Sequence, residues 1–99
     1  MRGANNCYLS GQLSIQAIHQ VPLNGHTELV VHGWVQPKVH DPQETHPVLL
    51  TGKHAQLILD LARQHPHLKP HVVIEGCLFT QADRTVVHVR FVDILNAFA

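Results

Sequence analysis

Trp34 stands in an alternating stretch, Thr27 to Gln36, with His32 and Gln36 as polar companions on its face. Its indole offers a flat π surface that could stack on a planar ring or anchor a subunit contact. Phe79 repeats the arrangement on a second alternating stretch beside Glu75 and Cys77, and Tyr8 does so on a third. Lys38, Lys53, Arg84 and Arg90 lie on or beside these stretches, with His88 between the two arginines. Each cation could meet an anionic oxygen or remain a solvated charge. Catalytic chemistry finds less to use. The acids are scattered, no Gly-rich phosphate loop is present, and neither Cys7 nor Cys77 has a local His and orienting acid. His65, His67 and His71 form the densest imidazole cluster, but Pro66 and Pro70 fix the backbone there. No Cys, Asp or Glu completes a tetrahedral zinc set by local spacing. These residues point to binding, not to an enzyme, with no metal or cofactor required.

The elements that must position them fit in one domain spanning all 99 residues. Apolar residues make up 44% of the chain, enough for a modest core, and small domains often add stability by oligomerising. No run of about 20 apolar residues offers a membrane span. Residues 1–6 read as a frayed end without the apolar region of a secretory signal. Cys7 and Cys77 lie too far apart for a metal or redox motif and read as free thiols in a reducing cytoplasm, with an inter-strand disulfide as the lesser reading. Seven Lys and Arg balance seven Asp and Glu, so any basic track must be local. Ten histidines can add charge below about pH 6.5, the ordinary imidazole pKa.

Period-two alternation marks the strands. From Cys7 to Ile15 the odd positions point inward, with Gly11 at a bend, and Pro22-Leu23-Asn24-Gly25 is a turn. Thr27 to Gln36 places Leu29, Val31, Gly33 and Val35 inside, and Glu28, Val30, His32 and Trp34 outside. Pro37 to Thr45 is an exposed loop. A short strand, Val48 to Thr51, breaks on Gly52 into a helix over about His54 to Gln64, with Leu57, Ile58, Leu61 and Ala62 as its apolar face. Pro66 stops it. His71 to Thr80 turns Val72, Ile74, Gly76 and Leu78 one way, and His71, Val73, Glu75, Cys77 and Phe79 the other. After the turn Gln81-Ala82-Asp83-Arg84, the strand Thr85 to Leu95 sets Val87, Val89 and Phe91 against Val86, His88, Arg90 and Val92. Three strands, a helix and two strands spell an all-β protein with one short helix, the five-stranded Greek-key barrel of the OB-fold. That fold binds oligonucleotides and oligosaccharides on one face.

Four segments in this order carry a further likeness. NNCYLSGQL, LNGHTELVVHG, HPVLLTGKHAQLI and VVIEGCLFT resemble the first four strand regions of bacterial single-stranded DNA-binding proteins and of primosomal replication protein N. The resemblance spans Asn5 to Leu95. It implies stacking of bases on Trp34 and Phe79, with Tyr8 third, and phosphate contacts from Lys38, Lys53, Arg84, His88 and Arg90. Thr45 and Thr51 stand where those proteins carry aromatics, and Gln81-Ala82-Asp83 holds no tryptophan. The chain stops at Asn96-Ala97-Phe98-Ala99 without their acidic tail, which points towards the short primosomal type. The resemblance also implies a homodimer or homotetramer, for which outward Val30, Val73, Val86 and Val92 would supply contacts. Two functions are expected: sequence-independent binding of single-stranded DNA in replication, recombination or repair, or an interaction module for a replication or primosome protein.

Overall fold

The alternation resolves into five strands and one helix: β1 (Asn6–Leu23), β2 (His26–Gln36), β3 (His46–Thr51), α1 (Gly52–Gln64), β4 (His71–Gln81) and β5 (Arg84–Asn96). The computed structural model describes residues 6–37, 43–67, 69–81 and 83–96, with Leu23, Gln81 and Asn96 described by backbone alone. Residues 1–5 of the expected frayed end, Lys38, the middle of the Pro37–Thr45 loop and Ala82 lie outside them. Asn6 belongs to β1, opposite Cys77 of β4.

The strands close into a barrel in the order β1-β2-β3-β5-β4. Every pairing is antiparallel except the short parallel contact of β3 with β5, through Val48↔Val87 and Leu49↔His88. One long β1 makes the closure possible. Its first part pairs with β4 up to Gln12↔His71, and its remainder pairs with β2 from Gln12↔Gln36 to Leu23↔His26. Gly11 sits at the crossing, where a Cβ would run into the backbone of Gln36 and Pro37, so a side chain would block the bend. The β1–β2 turn has positive φ at both Asn24 (51°) and Gly25 (84°), the conformation for which Asn-Gly is suited.

Leu13, Val31, Val35, Val48, Leu50, Val72, Ile74, Val87, Val89 and Val92 fill the barrel, and Ala55 and Ile58 of α1 pack against them. Gly52, at φ 59°, turns β3 into α1, and His65 N–H donates to Leu61 O at its end.

Two expectations are corrected. Phe91 is 53% exposed and Val92 is buried, the reverse of the alternation. The register passes from Gly76↔Val89 to Glu75↔Phe91, leaving Arg90 as an extra residue in a β-bulge. One inserted residue flips every later side chain to the other face. Val92 therefore offers nothing to an interface. Leu57 of the expected apolar helix face is 45% exposed, and Ala55 is buried instead. Leu78 keeps its side of β4 but lies 39% exposed near the strand end.

Candidate nucleic-acid interface

Outward residues of neighbouring strands stand side by side at about 4.8 Å strand spacing, so the registers define rows across the barrel surface. On one row Trp34 of β2 lies between Ser14 of β1 and Pro47 of β3. The parallel pair Val48↔Val87 carries that row on from Pro47 to Val86, and Val86 faces Phe79 of β4. The two outward aromatics thus end one continuous path of half-buried side chains. The adjoining row runs Ala17, His32, Leu49, His88 and Cys77. His88 meets Phe79 edge-on, with ring centroids 5.9 Å apart at 80°, and His32 meets His19 the same way at 5.3 Å.

A hollow of about 230 Å³ lies along this path. Gln16, His32, Pro47, Arg84 and Val86 line it, with Gly33 and Val48. Gln16 is the extra residue of a second β-bulge, where the β1–β2 register slips between Ile15 and Ala17. The bulge brings an amide to the edge of the hollow. Arg84 begins β5 at the hairpin tip and is exposed. Ring surfaces, one guanidinium, an amide and imidazoles therefore converge. The rings suit stacking with planar bases, and the guanidinium suits a phosphate.

Of the expected site residues, Trp34, Phe79, Arg84 and His88 lie along these two rows. Lys53 does not join them. β3 runs from Pro47 away to Thr51, so α1 starts at the far end of that strand. There the Glu28 carboxylate stands 3.7 Å from the place a Cβ would take on Gly52, setting an acid beside the lysine. Arg90 points outward from the bulge, and its Nη1 donates to Cys77 Sγ at 3.4 Å, at the end of the adjoining row farthest from Trp34. That contact, followed by the nearby Glu75 charge, raises its pKa above an already high ordinary value, so it stays a cation. Tyr8, 69% exposed, Glu75 and Phe91, 53% exposed, form a row next to Arg90.

His32, Gln16 and Pro47 were missed as site residues. His32 and Pro47 had a signal in their position, since both share the outward side of Trp34. Gln16 had none. Among the described residues, no three His, Cys, Asp or Glu come together to hold a metal, and no helix is long and apolar enough to cross a membrane.

Solved structures with the same architecture include the single-stranded-DNA-binding (SSB) domain of a Synechococcus protein. It is 22% identical, at a TM-score of 0.65 over 93% of this chain and 97% of that one. PriB from Ralstonia solanacearum is 13% identical, at a TM-score of 0.68 over 95% and 100% of the two chains. This chain is an OB-fold. The dimeric N-terminal domain of PriB from Thermoanaerobacter tencongensis is also similar, at 17% identity and a TM-score of 0.56 over 93% and 97%. No protein-family model and no curated protein matches the chain. In this OB-fold the β2–β3 surface and the β4–β5 hairpin, where such barrels take their ligands, carry Trp34, Pro47 and Arg84.

Proposed function

We propose that this chain binds single-stranded DNA without sequence preference and serves replication, recombination or repair. The observation that carries the reading is the row Trp34–Pro47–Val86–Phe79, with Arg84 at its edge. Two rings joined by an apolar path suit a chain of unstacked bases, because every base has a π face. A duplex hides those faces inside its stack. Trp34, Phe79, Arg84 and His88 are the binding residues in this reading, Arg90 stands beside them at Cys77, Lys53 is peripheral, and Lys38 lies outside the described residues. The SSB and PriB names of similar structures agree with it. Cys7 and Cys77 are both free, which suits a cytoplasmic setting.

The chain has a single tryptophan, so its fluorescence reports directly on the row. Oligothymidine should quench Trp34 at low salt and release it as salt rises. The slope should be shallow, about −0.7 in log K per phosphate contacted, because few cations line the path. Absence of quenching at low salt refutes the reading.

A second observation favours a protein contact elsewhere. Tyr8 and Phe91 flank Glu75 as an exposed aromatic row, with Arg90 adding a charge of opposite sign on the same face. A two-fold contact can match that face to itself, ring on ring and Glu75 against the copy's arginine. We assign it to homodimer formation, which the dimeric PriB domain supports. Sedimentation equilibrium at micromolar concentration decides the matter, and a clean monomer mass rejects it. A monomer that fails to bind oligothymidine would instead turn this face over to a replication partner.

A further inference from the structure

Trp34 has a second flank. On its β1 side the partner is Ser14. The paired β1–β4 ladder reaches Gln12↔His71, and beyond it Leu13 N–H donates to Pro70 O at 3.0 Å. That bond is the next step of the same antiparallel register. One step more sets Lys69 opposite Ser14, on the face that holds Trp34 and Pro47. Lys69 is exposed. It lines, with Ser14, a hollow of about 260 Å³ between β1 and α1, whose remaining wall is apolar and includes Leu13, Ile15, Ile58 and Leu61. The chain holds no Asp or Glu from Leu61 to Ile74, so no nearby acid in sequence offsets the lysine.

We propose that this hollow is a nucleotide subsite next to Trp34, in which Lys69 Nζ takes a phosphate and the apolar wall takes a base. The proposal rests on the single-stranded DNA reading above. Two strand spacings, about 10 Å, separate Lys69 from Trp34, and two more separate Trp34 from Val86 beside Arg84. Trp34 thus stands midway between two cations, each at its own hollow. A ligand that meets a cation, a ring and a second cation in line carries regular charges alternating with flat rings. A single nucleic-acid strand is such a ligand. Each hollow is smaller than the roughly 300–1,000 Å³ typical of small-molecule sites, so each suits one nucleotide.

Oligothymidine titrations of Trp34 fluorescence between about 50 and 200 mM salt test the subsite. Lys69→Ala should reduce the steepness of the salt slope by about 0.7, so the fourfold rise in salt costs about 2.6-fold less affinity than in the wild type. Lys69→Arg should restore the slope. Ala62→Leu, which narrows the hollow without touching charge, should weaken binding and leave the slope alone. Arg63→Ala removes an equal charge from the last turn of α1, where the side chain is exposed and lines neither hollow, and should leave the slope unchanged. Thermal melts of each variant confirm folding. If the wild type binds while Lys69→Ala keeps its slope, or shifts no more than Arg63→Ala, the subsite is refuted and the single-strand reading survives. If the wild type fails to quench, both fall together.

Discussion

Replacing Trp34 by alanine separates stacking from charge. The indole is half-buried between Ser14 and Pro47, so only its open side can receive a base. One stacked base is worth about 1–3 kcal/mol by truncation. At about 1.4 kcal/mol per tenfold, Trp34→Ala should weaken oligothymidine binding by roughly 5- to 150-fold. The indole carries no charge and releases no counterion, so the salt slope should not move. Arg84→Ala should do the opposite. Its slope should flatten by about 0.7, and its affinity deficit should shrink as salt rises. Trp34→Ala removes the sole tryptophan, so the assay is anisotropy of end-labelled oligothymidine at several salt concentrations, with a melting curve as control. A loss under twofold, or a slope that changes as in Arg84→Ala, would show that Trp34 packs the sheet and stacks on nothing.

Two further outcomes follow from the geometry. Gly76→Ala would push a methyl against His88 O and to 2.9 Å from Val87 Cγ1, prising β4 from β5. Overpacking of this kind costs about 1–3 kcal/mol, and each kcal/mol lowers the melting temperature of a domain this size by about 4–8 °C. An unchanged melt contradicts that close approach. Tyr8→Ser with Phe91→Ser should lower the sedimentation mass to that of a monomer and leave the melting temperature nearly unchanged, because both rings are exposed in the single chain. A dimer that persists moves the interface elsewhere.

Local patterning carried the barrel. Alternation placed all five strands, Asn24-Gly25 placed the first hairpin, and Gly52 marked the passage into α1. Each of these signals acts within a few residues of itself. The bulges do not. Gln16 and Arg90 look like ordinary polar members of an alternating run, and only the partner strand's register exposes them as insertions. That is why Phe91 was expected inside and Val92 outside. Leu57 was expected against the barrel for a related reason. The helical stripe is wide, but Ala55 and Ile58 make the closest fit, and Leu57 falls past the edge.

The site divides along the same line. No residue is inserted into β2 or β4, so the outward direction of Trp34 and Phe79 was readable from their own alternation. Gln16 and Lys69 reach Trp34 only through barrel closure, one by a slip in register and the other by extending a ladder beyond its last paired residues. The bulge at Arg90 has a consequence for function as well. Without the inserted residue, Phe91 would sit in the core and Val92 on the surface, and Tyr8 would be the sole exposed ring on its row. With it, the outer surface carries two aromatic faces. One holds Trp34 and Phe79 with hollows and cations placed at intervals, as a strand of bases requires. The other holds Tyr8 and Phe91 around a carboxylate, which repels phosphate and suits a protein surface that can offer an arginine in return. On the proposed function, a carboxylate amid the exposed rings suits that face to protein, and the row at Trp34 suits DNA.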